Sequence, residues 1–372
     1  MISGLAPEIQ IEVDPTGVGQ FLNATAKTPA VWHEFRLGTI DGLVRFTACY
    51  RYDPFWMRPV AGTTHAAVPA ETQYLLAECA DGRCVLIVPL FGEQLRFALA
   101  GDATGLLLVG ETGDPFAPAS GGLAAFVAEG DDPFALMEAA ARAVVQRLGT
   151  GRRRVDKPLP AFVDDFGWCT WDAFYGEVSP EKVRSGLESF RAGGVEPRLL
   201  ILDDGWLSVS AENRLQSLAP NAKFAGTLAP TVAMAKQEFG LRTVLAWHAA
   251  LGHWGGFDVE HLTGFGARNL PRWHGPGMLK QLPIANVFFG PTAGMLPADQ
   301  FARFYDDLHR QLAAWGVDGV KVDGQAMLEG LSTGSGGRVP VYRAFREALE
   351  ASVQQYFGGR LINCMSNGNE TH

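Results

Sequence analysis

Three short runs after residue 160 hold residue types suited to nucleophilic and acid–base chemistry. They are Phe166-Gly-Trp-Cys-Thr-Trp-Asp172, Leu202-Asp-Asp-Gly-Trp206 and Gly319-Val-Lys-Val-Asp323. Each is a strand-like run that ends in carboxylates or tryptophans. Lys321 and Asp323 are two residues apart on one strand, so both side chains face the same side. A lysine at that range stabilises an ionised carboxylate, as a nucleophile requires. The same spacing also suits a structural ion pair. Asp203 and Asp204 would repel each other in a dry site and need donors; sugar hydroxyls or a divalent metal would serve, and helix capping is the bland alternative. In a parallel α/β barrel the carboxyl ends of the strands line the reaction site. Carboxylates beside flat aromatic faces there suit a neutral, hydroxyl-rich ligand such as a sugar.

Seven of the nine tryptophans (168, 171, 206, 247, 254, 273 and 315) fall after residue 160. Trp315 lies on a helical stripe and reads as core; the others gather at strand ends or in Trp247-His-Ala-Ala-Leu-Gly-His-Trp-Gly-Gly256. His248 and His253 lack a HExxH-type spacing, so hydrogen-bonding roles are expected rather than metal ligation. The Gly330–Gly337 run lacks a phosphate-loop lysine and a dinucleotide pattern, and it reads as a mobile loop. No cofactor and no metal are expected.

The elements that would carry these residues fall into two units. Residues 1–128 hold short alternating runs separated by Gly, Asp and Pro turns, which predict an antiparallel β-sandwich. Cys79 and Cys84 flank an Asp81-Gly82 turn that would set them opposite each other, as reduced neighbours. Residues 129–160 form a connecting helix, started by Asp132 and Pro133 and stopped at Gly149, followed by a linker. Residues 161–372 alternate strand and helix, with strands near 163–168, 198–202, 243–247, 318–322 and 361–365. That pattern predicts an α/β (TIM-type) barrel. Eight strands close such a barrel, so the expectation is one truncated after about five, in a chain that is itself a fragment.

With 372 residues and 47% apolar content the chain can bury a large core. A net charge of −9 argues against a nucleic-acid surface or an anionic membrane. No run approaches the ~20 apolar residues of a membrane helix, and no secretory signal opens the sequence. A cytoplasmic location is expected.

At these residues the chain resembles glycoside hydrolase family 36, in its raffinose synthase and alkaline α-galactosidase (seed imbibition protein) group. The stretches that carry the likeness are FGWCTWDAFYGEVSPEKVRSGLESFRAGGVEPRLLILDDGWLSV, WHAALGHWGG, VDGVKVDGQAMLE and NCMSN. Weaker likeness runs through PFWMRP, VPAETQYLLAE, VPLFGEQLRFALAG and DDPFALMEAAARAV. The resemblance implies a retaining glycosidase or transglycosidase acting on α-galactosides of the raffinose type, through a covalent galactosyl-aspartate. It implies Asp323 as the nucleophile, Asp203 and Asp204 as holders of galactose hydroxyls, and Lys321 beside the nucleophile. Trp168, Trp171, Asp172, Trp206 and Cys364 match pocket-wall positions. The general acid of the family would lie beyond residue 372, and Glu370 is not assigned that role. An oligosaccharide is the expected partner. The alternatives are a galactoside-binding protein or inactive fragment without the acid, and a metal-dependent barrel using His248, His253 and Asp323.

Overall fold

A computed structural model describes residues 2–273, 275 and 290–369. The first unit is an antiparallel sheet whose hydrogen bonds run through eleven strands. One layer is built around the Trp32–Ile40, Arg96–Asp102 and Gly105–Glu111 strands, and the other around Gly19–Ala30, Leu43–Asp53, Thr72–Cys79, Cys84–Pro89 and Ala119–Gly130. The Thr72 to Leu99 bridge joins them, with an isolated Phe91 to Arg96 bridge beside it, so the expected sandwich is one sheet folded over on itself. Strand alternation explains how both faces are used. Leu22, Val85, Ile87, Ala125 and Val127 point between the layers. Phe21, Leu86, Phe126 and Ala128 point outward, where the Pro133–Leu148 helix covers them with Leu136, Ala140 and Ala143. The Asp132 carboxylate caps that helix, accepting from the Phe134 and Ala135 amides at 2.9 and 3.2 Å, and left-handed Gly149 ends it.

The predicted Cys79–Cys84 pairing is corrected here. Cys84 pairs with Glu78, which is one residue out of register, so Cys79 enters the core between the layers while Cys84 faces the helix side. Both thiols are free.

The second unit is a parallel sheet of Gly167–Cys169, Leu199–Leu202, Thr243–Ala249, Gly319–Asp323 and Leu361–Asn363, in that spatial order. The strand order therefore follows the chain order, as right-handed crossovers give. Period-two alternation divides its residues. Leu200, Leu202, Val244, Ala246, Val320 and Val322 join the large core beneath the helices, while Leu199 and Leu245 lie on the other face with Phe162. The Phe301–Ala314 and Arg338–Phe357 helices bury Phe301, Tyr305, Leu308, Leu312, Phe345 and Leu349 against that sheet. Closure of the sheet into a barrel is not seen among the described residues.

The two units are locked together. The tip of the hairpin formed by the Leu43–Asp53 and Trp56–Gly62 strands inserts Phe55 into the core of the parallel unit, and Asn367 donates to the Phe55 carbonyl. Arg51 bonds Glu71 at 2.7 Å and both oxygens of Glu329 at 2.8 Å; Arg96 bonds Glu71 at 2.7 Å; Arg338 bonds Glu111 at 2.7 Å and also pairs with Glu329. The Gly-rich run expected to be mobile is instead pinned. Ser332 donates to the Gly113 carbonyl at 2.7 Å, and the amides of Ser335 and Gly336 each donate to Asp114 at 3.1 Å.

Candidate active site

Asp203, Asp204, Lys321 and Asp323 meet at the carboxyl end of the parallel sheet. Each stands at or just beyond the end of its strand, where the last inward-facing position opens into loops. The register sets Trp247 beside Lys321 and Ala249 beside Asp323, which brings the loop after residue 249 directly over the Asp323 strand. The Ala250 amide donates to the Asp323 carbonyl at 2.7 Å and fixes that placement. Glycine is required in Asp203-Asp-Gly-Trp206. Gly205 has φ 114°, and a Cβ there would lie 2.5 Å from the Gly176 carbonyl oxygen.

Each carboxylate has a distinct set of donors. Asp203 accepts from the Lys321 ammonium at 2.7 Å, from the Cys169 thiol at 3.2 Å and from the Asp204 amide at 3.0 Å. Asp204 accepts from His253 Nε2 at 2.9 Å on one oxygen and from the Trp254 indole at 2.7 Å on the other. Asp323 accepts from the Trp247 indole at 3.0 Å and from the Gly324 amide at 2.7 Å. The Cys364 thiol is also hydrogen-bonded to Asp323. All three aspartates are buried. The Gly205 amide also bonds the Asp204 carboxylate. A carboxylate offers about four lone-pair positions, so Asp204 keeps about one for a ligand.

The charges follow from these partners. Burial pushes the Asp204 carboxyl up, but the His253 and Trp254 hydrogen bonds outweigh it and hold it below its ordinary value. Burial pulls the Lys321 ammonium down, and its bond to Asp203, together with the charges of Asp203, Cys169 and Asp323, leaves it raised. Burial and the adjacent carboxylates push Cys169 up to about 11 and Cys364 up to about 12, so both stay thiols and serve as donors.

Four of the predicted site residues stand elsewhere or only at the rim. Trp168 points to the helix side of its strand, edge-on to Phe174 and Phe190 at 6.0 and 5.5 Å, because strand alternation gives the inward place to Cys169. Trp206 is fully buried, with its indole donating to the Trp247 carbonyl at 2.8 Å, so it supports the Thr243–Ala249 strand and offers no face to a ligand. Trp171 and Asp172 lie exposed on the short Trp171–Phe174 helix at the mouth, where Trp171 meets Tyr175 edge-on at 5.2 Å. Glu370 lies outside the described residues. His248 and His253 do not share a site. His248 faces the helices, 3.1 Å from His309 Nε2, while His253 faces Asp204.

The sequence reading missed Cys169, Trp247, His253 and Trp254 as direct partners of the carboxylates. Its tryptophans were read as flat platforms, yet Trp247 and Trp254 use their indole N–H groups. The signal was present in Trp247–Gly256, a run at a strand end rich in indole and imidazole N–H donors, three of which (Trp247, His253 and Trp254) reach the carboxylates.

The profile of the raffinose synthase or seed imbibition protein Sip1 family matches residues 3–231 and 221–372. Among relatives, the probable galactinol–sucrose galactosyltransferase 1 of Arabidopsis thaliana is 33% identical over 397 residues, covering 95% of this chain and 52% of that protein. The stachyose synthase of Pisum sativum is 26% identical, covering 95% and 54%. The chain thus spans about half the length of the curated relatives it matches. Two solved structures share the fold. The α-galactosidase TtGalA from Thermus thermophilus, in complex with stachyose, aligns at TM-score 0.56 and 19% identity over 98% of this chain and 76% of that one. The family 36 α-galactosidase AgaA from Geobacillus stearothermophilus aligns at 0.55 and 11%, over 98% and 58%. On the strength of the profile match and the one-third identity along nearly its whole length, the chain belongs to the raffinose synthase or seed imbibition protein Sip1 family.

Proposed function

We infer that this chain carries the galactose-binding and nucleophile half of a retaining α-galactosyl site, acting on raffinose-type α-galactosides. The observation that carries the reading is the contrast among the three aspartates. Asp203 and Asp204 are each held by a basic side chain, whereas the side chains and amides that bond the Asp323 carboxylate are neutral, among the described residues. A carboxylate held by neutral donors in a buried site stays oriented and keeps electron density for attack.

In the first step an Asp323 oxygen forms a bond to the anomeric carbon of galactose as the glycosidic C–O bond breaks. The leaving oxygen takes a proton from a carboxylic acid ~5–5.5 Å from the nucleophile. In the second step a hydroxyl of water or of an acceptor sugar attacks the same carbon, its proton returns to that acid's conjugate base, and Asp323 is released. Asp204, held below its ordinary value, is unsuited to the acid's role, and its remaining acceptor position suits a sugar hydroxyl instead. Hydrolysis and transfer differ only in which hydroxyl intercepts the intermediate.

The test is turnover of an activated α-galactoside by wild type and Asp323→Ala, with and without azide. Azide replaces a missing nucleophile and does nothing for a binding residue. Activity lost in Asp323→Ala and partly restored by azide supports the reading; full activity in Asp323→Ala removes it. Loss that azide leaves unrepaired favours a galactoside-binding role for Asp323.

A further inference from the structure

His253 is buried, 4% exposed, and takes no part in the bond-making steps above. It stands edge-on to the Trp247 ring at 5.5 Å. Its Nδ1 lies 3.0 Å from the Asn213 carbonyl oxygen and its Nε2 lies 2.9 Å from Asp204 Oδ1. A backbone carbonyl accepts and never donates, and an ionised carboxylate does the same. A neutral imidazole has one N–H and one lone pair, so it would set that lone pair against one of these two oxygens. Inside a buried site such a contact goes uncompensated. Both contacts are hydrogen bonds only when each ring nitrogen carries a proton.

We propose that His253 is a positioning residue that works as an imidazolium, holding Asp204 in place for the hydroxyls of the galactosyl ring. The proposal rests on the sugar-binding role inferred for Asp204. With that proton in place, the acidic pair is neutralised one for one, Asp203 by Lys321 and Asp204 by His253. The remaining negative charge of the cluster then sits on Asp323. The Trp254 indole holds the other Asp204 oxygen without adding charge, which makes it the internal control.

The groups around His253 and its carboxylate partner come from five segments. Asp204 lies across Nε2, the Asn213 carbonyl across Nδ1, and the uncharged Trp247 ring against its edge. Lys223, which senses the charge of Asp204, and the Lys321–Asp203 pair flank the carboxylate. With only one proton on the His253 ring, either Asp204 or the Asn213 carbonyl would lack its donor. Ligand affinity then falls, while the bond-breaking step at Asp323 keeps its own donors.

Side-chain ¹⁵N NMR of the full chain at neutral pH, with His253 assigned by difference from His253→Gln, reads the protonation state directly. Two protonated ring nitrogens are expected, and a single neutral tautomer overturns the proposal. This readout needs no turnover, so it stands apart from any failure of the galactoside reading. In steady-state kinetics with p-nitrophenyl α-galactoside, His253→Gln should raise KM about tenfold or more with a smaller change in kcat. It should also flatten the rise of KM with pH. Trp254→Phe should raise KM and keep that rise. A His253→Gln enzyme that retains the wild-type dependence of KM on pH, or that loses kcat at unchanged KM, contradicts the proposal. Should His253→Gln not fold, Trp254→Phe shifts the neighbouring ring signals and still permits the NMR assignment.

Discussion

Between the two units, Arg51, Arg96 and Arg338 meet Glu71, Glu111 and Glu329, three charges of each sign and all below 10% exposed. At the strand ends, Asp203, Asp204 and Asp323 meet Lys321 and His253, with thiols and indoles making up the donor count. The first cluster is balanced in charge, which is the condition for burying ions without large loss. The second keeps an excess of carboxylate, and Asp204 keeps an acceptor position open. A cluster balanced in charge holds a structure together. One left short of donors is ready for a ligand that brings hydroxyls.

If that contrast is right, substitutions in the two clusters should separate stability from activity. The largest effect is expected for Arg51→Met, which removes the cation shared by Glu71 and Glu329 and leaves Glu71 with Arg96 and Glu329 with Arg338. It should cost about 3–5 kcal/mol of unfolding free energy, read by denaturant titration. Asp323→Ala should leave the same titration unchanged or slightly improved, since it relieves a site built for function. Equal losses in both variants would break the distinction.

The pH dependence sharpens it. Burial pushes the Glu71 carboxyl up, but Arg96 and Arg51 outweigh it, and Glu71 is held well below its ordinary value. A carboxylate lowered in the folded state adds stability that is complete above its unfolded value, about 4.5, and is lost as pH falls through the lower folded value. Acid unfolding below pH ~4.5 should therefore be blunted in Glu71→Gln, which starts from a lower stability at pH 7. Thermal melts from pH 7 to pH 3 check this.

Asp204→Asn comes next in size. It keeps the shape and removes the charge that His253 and Trp254 organise, so galactoside KM should rise about tenfold to a hundredfold. Folding should change less than in Arg51→Met. The smallest effect is expected for Glu111→Gln. Burial raises the Glu111 carboxyl above its ordinary value despite Arg338, so its ionised form is less favoured than that of Glu71. Its melting temperature should fall by less than that of Glu71→Gln, and the reverse order would contradict the charge assignment.

Much of this arrangement was legible in the sequence because it obeys local rules. Apolar runs alternating with helical stripes placed four of the five parallel strands, while the first, expected near 163–168, runs Gly167–Cys169 after a short turn at Ala161–Asp164. The carboxyl-end logic of parallel sheets put Asp203, Asp204, Lys321 and Asp323 in one place. What escaped was long-range. Arg51 and Glu329 are 278 residues apart, and nothing local marks them as partners. Trp168 and Cys169 are neighbours, and one residue of register decided which of them entered the site. The Trp247–Gly256 loop read as an aromatic surface because the hydrogen-bonding direction of an indole depends on how the chain folds back.

The most direct measurement is to trap the intermediate with a 2-fluoro α-galactosyl donor carrying a good leaving group and to map the label by peptide mass spectrometry. The account predicts one added fluorogalactosyl group, on the Asp323 peptide, absent in Asp323→Ala. A label on Asp203, Asp204 or any other side chain would contradict it.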